Sequence, residues 1–206
     1  MAININPGVP VRHVSTYNAT GNFVVPAGKT IAFVALHGAT GGGGGSTGSR
    51  YGSRYGRGGQ GGEARISGAF VQVIPGGTHS VTIGAAGAGG AGTINPGNAA
   101  ATGATGGSTI FDGIFTQPGS SGGTGAYGDR YSAGPAGVTG AAANAATGVT
   151  ALTSLSPSGA LPRVGQISTQ ATGANNGGNG GTGMNNRYGS APAGQAGTAG
   201  QVNIYI

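Results

Sequence analysis

Hydrophobic residues along this chain occur in short runs in which apolar positions alternate with polar or small ones. The clearest run is KTIAFVALH at residues 29–37, where every second side chain would face the same side of an extended strand. No window of twelve or more residues repeats with the period of a helix. Six runs rich in β-branched residues suffice for a small antiparallel β-sandwich, so the pattern predicts an all-β fold. The predicted strands are residues 23–25, 29–37, 64–74, 79–83, 108–115 and 202–206.

The apolar residues of these strands are expected to form one core that joins the first strands to the last. Only 34 of the 206 residues are Leu, Ile, Val or Phe, which is below the usual content of a globular chain. Because so little apolar surface can be buried within one chain, we expect a homo-oligomer. The predicted core residues are Phe33, Val34, Phe70, Val73, Ile83, Phe111 and Ile204.

Glycine dominates the sequence between the strands and accounts for 50 of the 206 residues. Three insertions, residues 38–62, 84–107 and 118–200, are too long for ordinary loops. Within residues 119–140 glycine recurs at a spacing of three, with Tyr131 as the sole departure, and this is the period of a polyproline-II-like helix. Segments with one edge free of side chains can approach closely and pair their backbone groups. The sequence therefore predicts long glycine-rich lobes that are partly polyglycine II-like, with register glycines Gly119, Gly122, Gly125, Gly128, Gly134, Gly137 and Gly140.

These patterns predict three parts. Residues 1–20 would be an extended N-terminal arm that contacts a neighbouring subunit. Residues 21–117 would form the β-sandwich with its glycine-rich loops, completed by a strand at residues 201–206, and residues 118–200 would form a glycine-rich insertion lobe. The first twenty residues lack the apolar run of a signal peptide, and no stretch is long enough to span a bilayer. We therefore expect no membrane insertion.

Side chains that carry catalysis or bind metal ions are scarce. There is no cysteine, and each of the three acidic residues stands beside a glycine in a turn-like context. The three histidines are isolated along the chain, so a metal site could arise only through tertiary contacts. We therefore predict no enzymatic activity, no cofactor and no metal. The acids are Glu63, Asp112 and Asp129, and the histidines are His13, His37 and His79.

The dipeptide Arg-Tyr occurs four times, always within the glycine-rich insertions. Both residue types are enriched at contact hot spots, because each buries a wide area and keeps a polar group. Three interpretations remain open: the pairs cap glycine segments or contact another subunit; they bind a receptor or glycan; or SRYGSRYGRGG at residues 49–59 binds nucleic acid like an Arg-Gly-rich tract. The candidate contact residues are Arg50, Tyr51, Arg54, Tyr55, Arg57, Tyr127, Arg130, Tyr131, Arg187 and Tyr188.

The order of motifs along the chain also carries a resemblance. The motifs are FVVPAG (23–28), KTIAFVAL (29–36), the glycine run 41–45, GGQGGEA (58–64), PGGT (75–78), VTIGAAGAGGAG (81–92), GGSTIFDG (106–113) and GTAGQVNIYI (197–206). This order resembles the glycine-rich domain of bacteriophage tail fibres, tail-tip adhesins and minor tail proteins. The resemblance covers residues 20–115 and the last ten, and it implies a β-sandwich base with polyglycine loops, some packed as polyglycine II helices.

The resemblance implies a structural virion protein, a minor tail protein at the tail tip or fibre, made in the host cytoplasm. Its expected partners are copies of itself, as a trimer by family analogy, and other tail proteins, with a host-surface glycan or protein as a further partner. Residues 118–200 would correspond to the recognition loops of the family. Two alternatives remain, a capsid decoration or head-fibre protein and a nucleic-acid-binding Arg-Gly-rich module, although nucleic acid is not the expected partner.

Overall fold

The computed structural model describes residues 12–48, 56–94, 98–127, 137–141, 143–144 and 191–206. Within these ranges the chain forms eight β-strands and no helix, which confirms the all-β prediction. The strands are β1 (His13–Tyr17), β2 (Gly21–Val24), β3 (Ile31–His37), β4 (Ile66–Gln72), β5 (Thr78–Thr82), β6 (Thr109–Phe111), β7 (Phe115–Gln117) and β8 (Gln201–Tyr205).

The described strands form two antiparallel sheets of four strands each. One sheet has the order β1-β8-β3-β4 and the other the order β2-β5-β6-β7. In the first sheet β8 and β3 are the two inner strands, and Val34 of β3 lies opposite Ala69 of β4 and Ile204 of β8. The C-terminal strand therefore lies inside a sheet and completes the sandwich, in agreement with the strand predicted at residues 201–206.

Apolar side chains from both sheets meet in one core between them. On β3 the alternating residues Ala32, Val34 and Leu36 are buried at 1% exposure or less, so this face of the strand is the inner one. The second sheet contributes Phe23, Val81, Phe111 and Phe115 among others. The whole core is Phe23, Val25, Ala32, Val34, Leu36, Ala69, Val71, Val73, Val81, Phe111, Phe115, Val202 and Ile204.

The prediction that Phe33 and Phe70 belong to this core is wrong. Both rings are half-buried, and they make an edge-to-face contact with centroids 5.0 Å apart. They share the outer face of the first sheet, because a strand that buries Val34 must turn its neighbour Phe33 away from the core. Alternation along β3 defined two faces but did not show which of them is buried. The other predicted core residues are correct: Val34, Val73, Phe111 and Ile204 are in the core, and Ile83 packs against it.

The single strand predicted for residues 108–115 is instead a hairpin, made of β6 and β7. The turn contains Asp112 with φ 50° and Gly113 with φ 68°, and Phe111 pairs with Phe115 across it. Asp and Gly tolerate this left-handed backbone better than other residues, which explains why the chain reverses at this dipeptide. Because apolar residues flank the turn on both sides, the hydrophobic pattern resembles that of one continuous strand.

The extended arm predicted for residues 1–20 is wrong for residues 13–17, which form β1. This strand pairs with β8, with His13 opposite Tyr205 and Tyr17 opposite Val202, and a bulge separates His13 from Ser15. Its side chains are mostly exposed, as expected for a polar edge strand, so no hydrophobic alternation marked it in the sequence. Residues 1–11 lie outside the described ranges.

The glycine-rich stretches pack side by side as a bundle next to the sandwich. None of the described residues in these stretches belongs to a helix or to a named strand. The described segments, numbered here in chain order, are segment I (39–48), segment II (56–63), segment III (84–94), segment IV (98–107), segment V (118–127), segment VI (137–144, without 142) and segment VII (191–200).

Hydrogen bonds in the bundle join different segments and recur at every third residue. Ser120 and Gly123 of segment V donate their N–H groups to the carbonyls of Ala39 and Gly42 at 3.0 and 2.9 Å. The residues that follow them, Ser121 and Thr124, donate instead to segment VI, at Ala141 and Val138. This is the backbone pairing expected of a polyglycine II-like bundle. It confirms the predicted three-residue period for residues 119–127 and 137–140, whereas Gly128 and Gly134 lie outside the described residues.

Glycine is required where segments touch. A Cβ on Gly42 would overlap the backbone carbonyl of Ala88, and a Cβ on Gly122 would overlap that of Gly103. These clashes involve backbone atoms of a neighbouring segment, which cannot rotate away as a flexible side chain could. The bundle therefore depends on the absence of side chains along the contacting edges of its segments.

The predicted boundary between residues 117 and 118 does not separate two structural bodies. Segment V follows the predicted boundary, whereas segments I and IV precede it. Segment V nevertheless donates hydrogen bonds to segment I and accepts hydrogen bonds from segment IV. The loops assigned to the sandwich and the insertion assigned to a separate lobe therefore form one bundle.

Candidate functional site

The described segments run alternately away from the sandwich and back to it. Segments I, III and V begin where β3, β5 and β7 end, whereas segments II, IV and VII lead into β4, β6 and β8. Segment VI is antiparallel to segment V. Ten residues of a polyproline-II-like helix extend roughly 30 Å. We call segments I, III and V outward, because they lead away from the sandwich, and segments II, IV, VI and VII returning. One end of the bundle, here called the distal end, contains the last residues of the outward segments and the first residues of the returning segments.

Hydrogen bonds tie the segments together at the distal end. Thr47 donates its N–H to the carbonyl of Gly56 at 3.1 Å, and the Gly56 N–H donates to the Thr47 hydroxyl at 3.1 Å. Thr93 donates to the carbonyl of Ser46 at 3.0 Å, and Ser46 donates to that of Pro192 at 3.1 Å. Segments I, II, III and VII are therefore held in register up to the point where the connections between segments begin.

Two of the ten predicted contact residues lie among the described residues, and both are at the distal end. Arg57 is exposed near the start of segment II, and Tyr127 is 46% exposed at the end of segment V. The residue before Arg57 packs against segment V, since a Cβ on Gly56 would lie 3.3 Å from the Tyr127 carbonyl oxygen. The fold thus brings these two side chains, seventy positions apart in the sequence, to neighbouring segments.

The other eight predicted contact residues lie outside the described residues. They belong to three stretches of sequence: between Gly48 and Gly56, between Tyr127 and Gly137, and shortly before Ala191. Each of these flanking residues is at the distal end of its segment. The eight residues are Arg50, Tyr51, Arg54, Tyr55, Arg130, Tyr131, Arg187 and Tyr188.

The sequence of these distal stretches carries an excess of positive charge. Five of the chain's eight arginines fall within residues 49–57, 128–136 and 184–190, together with one acid, Asp129. A cluster of one charge sign raises the local concentration of oppositely charged partners and accelerates their association. Arginine also adds planar, forked hydrogen bonding and stacks on aromatic rings, which lysine does not provide.

His79 and Asp112 form a second site that the sequence did not reveal. His79 on β5 points inward and stacks on Phe111, with ring centroids 5.5 Å apart. Its Nδ1 lies 2.7 Å from Oδ2 of Asp112 in the turn between β6 and β7. The two residues are 33 positions apart, and the pairing of β5 with β6 brings them together. The interpretation of Asp112 as a turn residue is correct, and His79, which is isolated along the sequence, reaches it through a tertiary contact.

The chemistry of this pair favours a role in holding the turn. The hydrogen bond from His79 lowers the pKa of Asp112, and a bond of 3.3 Å from the Ser80 N–H to Oδ1 acts in the same direction. The other ring nitrogen of His79, Nε2, is buried and has no hydrogen-bond partner among the described residues. Within the described residues, no hydroxyl reaches Nε2 as the nucleophile of a hydrolytic triad would.

Aromatic rings form a row across the outer face of the first sheet. His13 on β1 contacts Tyr205 on β8 with centroids 5.2 Å apart, and Tyr205 lies 6.0 Å from Phe33 on β3. The row continues to Phe70 on β4. Each strand of the sheet therefore contributes one ring, and the row links all four strands on the side away from the core.

A polar cluster lies beside this row, centred on Asn203. Its Oδ1 accepts a hydrogen bond from the Thr16 hydroxyl at 2.8 Å, and its Nδ2 lies 3.2 Å from Nε2 of His37. Burial lowers the pKa of His37, which favours the neutral ring whose nitrogen can accept from the Asn203 amide. The cluster joins β1, β8 and β3, so its evident role is to align these strands.

Within the described ranges, no three His, Asp or Glu side chains come together as a potential metal site. These ranges also contain no helix with the length and apolar character needed to cross a bilayer. The chain matches no protein-family model, and no curated protein matches it significantly. The function must therefore be argued from the fold and from the distal end of the bundle.

Proposed function

We propose that this chain is a structural virion protein of a bacteriophage tail, a minor tail protein at the tail tip or fibre. In this proposal the sandwich is the base that assembles with other tail subunits and with copies of the chain. The glycine bundle projects from the base and presents its distal end to a glycan or protein of the host surface. The protein acts by binding and assembly rather than by catalysis.

One observation carries the proposal: the bundle is cross-linked by backbone hydrogen bonds, and its distal end is where the Arg-Tyr stretches are attached. A network in which segments I, II, III and VII bond to one another holds these attachment points in fixed relative positions. Recognition residues on a pre-organised scaffold bind with less loss of conformational entropy than residues on free loops. A rod-like projection with a contact surface at its end is suited to attachment.

The composition of the distal stretches supports the same proposal. Tyr and Arg supply large contact areas with polar groups at their ends, which is the chemistry of protein and glycan recognition. The exposed Arg57 and Tyr127 are described members of this surface. Other polar side chains of the bundle, such as Ser120 and Thr47, are buried and bond to neighbouring segments.

The location can be tested by mass spectrometry of phage particles that encode this chain, after their separation into heads and tails. The proposal expects peptides of this chain in the tail fraction, at a stoichiometry of a few copies per particle. Recovery in the head fraction alone would favour the capsid decoration or head-fibre alternative. Absence from both fractions would exclude every virion role.

The nucleic-acid alternative is tested by titrating the purified protein with single-stranded DNA and RNA at low and at physiological salt. A net charge of +6 gives it some support. Neutralised phosphates release counterions, so affinity carried by the arginines alone should fall steeply and log-linearly with salt. We expect weak binding that disappears at physiological salt. Submicromolar binding that persists there, and that is lost in Tyr51→Ala and Tyr55→Ala variants, would overturn the tail-protein proposal.

A further inference from the structure

The sandwich has a second end, opposite the bundle, which is here called the proximal end. β3 and β5 run towards the bundle, because segments I and III begin where these strands end. β2, β4 and β6 are antiparallel to them and therefore end on the opposite side of the sandwich. The proximal end thus contains the three turns that follow β2, β4 and β6, which are residues 25–30, 73–77 and 112–114.

Exposed apolar side chains are concentrated at the proximal end. Val24 and Ile74 are 62% and 71% exposed there, and Ile114 is 43% exposed in the third turn. The other exposed large apolar residues of the described ranges are Val14, near the proximal start of β1, and three in the distal half of the bundle, Ile94, Tyr127 and Val138. Apolar surface that is grouped at one place, rather than scattered singly, marks a site of interaction. The proximal end is therefore a candidate for the contact through which the sandwich assembles.

Each of the three proximal turns is closed by its own hydrogen bond. The N–H groups of Lys29, Gly77 and Ile114 each donate to the carbonyl three residues earlier, at 3.3, 2.8 and 3.1 Å respectively. Each turn also contains a glycine with a φ between 68° and 76°, the left-handed conformation that tight turns require. Closed turns of this kind are ordered before a partner arrives, so docking on them costs less conformational entropy than docking on free loops.

Hydrogen bonds also fix the proximal turns to their neighbours. The Val25 N–H donates to the Gly77 carbonyl at 2.9 Å, and the Gly76 N–H donates to the Val25 carbonyl at 3.0 Å, so the first two turns are joined. The third turn is fixed to β5, because the Asp112 N–H donates to the Ser80 carbonyl at 2.7 Å. The exposed apolar residues of this end therefore hold fixed positions relative to one another.

Charge at the proximal end indicates the kind of partner. Lys29, the only lysine of the chain, is exposed in the first turn. Asp112 is the one acidic side chain in the three turns, and its Oδ2 lies 2.7 Å from Nδ1 of His79. A carboxylate that pairs with Lys29 across an interface must therefore come from the partner. Complementary charges of this kind accelerate association and exclude wrong partners.

We propose that the proximal end is a docking surface for a different protein, which meets Val24 and Ile74 with apolar side chains and Lys29 with a carboxylate. A second copy of the chain is a poor source of that carboxylate, because the sequence has only three acidic residues and Asp112 is already bonded. The inference rests on the proposed function, in which this partner is another tail subunit, and it names the face of the sandwich that contacts that subunit.

The first test compares phage particles that encode the chain with Ile74→Glu or with Val138→Glu. The control is matched, because Val138 in the bundle is 69% exposed and Ile74 is 71% exposed. An unpaired carboxylate inside the contact should reduce the amount of the Ile74→Glu chain in purified tails by roughly tenfold or more, whereas Val138→Glu should leave it unchanged. The Tm values of the two purified variants should be equal, since both side chains are exposed in the isolated chain.

The outcomes separate this inference from the proposed function. Equal amounts of the two variants in tails would overturn the inference and leave the tail location standing. A markedly lower Tm for purified Ile74→Glu alone would show that the chain itself covers this end, which would also overturn the inference. Absence of the unaltered chain from tails would overturn the proposed function, and the inference with it.

The second test uses Lys29 as a unique reactive group. A carbodiimide takes up the water that is lost when an amine and a carboxylate in contact form an amide, so in intact tails it couples Lys29 Nζ to a neighbouring acid. We expect a peptide that joins residue 29 to an Asp or Glu of a different tail protein, and no such peptide in the Lys29→Arg variant, which keeps the charge. Tails that contain the chain but yield no coupling at Lys29 would contradict the proposal.

The same experiment identifies other occupants of the proximal end. Coupling of Lys29 only to Glu63 or Asp129 of another copy would assign the end to self-association and overturn the proposal. Co-flotation of the purified protein with phosphatidylcholine–phosphatidylserine vesicles, lost in Ile74→Glu but kept in Val138→Glu, would assign the end to a lipid surface and would likewise overturn it.

Discussion

The sandwich and the glycine bundle are stable for opposite reasons. The sandwich buries side chains such as Phe111 and Leu36 between two sheets, and the hydrophobic effect supplies its stability. The bundle has few side chains to bury, and its segments are joined by backbone hydrogen bonds. Added volume would damage the bundle, whereas removed volume would damage the sandwich. One chain thus contains two kinds of packing: the bundle should be most sensitive to added side-chain volume, and the sandwich to the loss of buried side-chain volume.

The largest effect is expected when a methyl group is added at the centre of the bundle. In Gly44→Ala the new Cβ would overlap the Thr124 carbonyl, and segment I is enclosed by its neighbours. We expect a loss of more than about 4 kcal/mol in the free energy of unfolding, in the exceptional range for one substitution. The control is Gly21→Ala in β2, where the nearest atoms are 3.6 Å away. Equal urea midpoints for the two variants would contradict tight packing of the bundle.

In the sandwich the opposite change, a loss of volume, should be severe. Phe111 is fully buried, so Phe111→Ala should cost about 3–5 kcal/mol. Phe33 lies on the outer face, where its half-buried ring contacts Phe70 and Tyr205, so Phe33→Ala should cost less, about 1–2 kcal/mol. Chemical denaturation of both variants measures the difference. A larger loss for Phe33→Ala would show that the inner and outer faces of β3 are assigned the wrong way round.

An intermediate effect is expected for Ser120, which bridges three segments. Its hydroxyl accepts from the Gly41 N–H at 2.9 Å and donates to the Gly62 carbonyl at 2.5 Å, in a buried position. Ser120→Ala leaves a buried N–H without a partner, which costs about 1–3 kcal/mol. The matched control is Ser121→Ala, because Ser121 is exposed. The two adjacent variants should differ in thermal stability, and a control that proves as destabilised as Ser120→Ala would refute the bridging role.

The smallest effect concerns pH and the pair in the sandwich. The pKa of Asp112 is lowered in the folded state, chiefly by the hydrogen bond from His79. The resulting stabilisation is fully present above the unfolded pKa of an aspartate, about 4, and is lost as the pH falls through the lower folded value. Because Asp112 is partly exposed, the contribution should be below about 1 kcal/mol. The free energy of unfolding of the Asp112→Asn variant should lack this acid-dependent loss when urea denaturation is measured between pH 7 and pH 2. A pH dependence identical to that of the unaltered protein would contradict the prediction.

The two regions also differ in how much of them could be predicted from sequence. Strands with apolar alternation, such as β3 and β8, were predictable because period two marks a half-buried strand. The polar edge strand β1 carries no such mark, and its place in the sheet depends on pairing with residues nearly two hundred positions away. The inward face of β3 was not predictable either, since Phe33 and Val34 are both apolar.

In the bundle, the three-residue glycine period predicted the type of packing but not the neighbours. Gly119 and Gly122 face segment IV, whereas Ser120 and Gly123 bond to segment I, and no sequence signal assigns those partners. The candidate site shows the same limit. The Arg-Tyr repeats predict a contact surface by composition, and that remains a prediction. The proximity of His79 to Asp112 arises from the pairing of β5 with β6, and no local sequence motif indicates it.

The most direct test of the polyglycine II-like bundle is the amide exchange pattern along segment V, measured residue by residue by NMR. The N–H groups of residues 120, 121, 123, 124 and 126 donate to neighbouring segments, whereas no described residue accepts from those of 122 and 125. We predict slow exchange at the first five positions and fast exchange at Gly122 and Gly125, a pattern with a period of three. Fast exchange throughout would show an unstructured loop, and protection with a period of two would show a β-strand; either result would contradict the account.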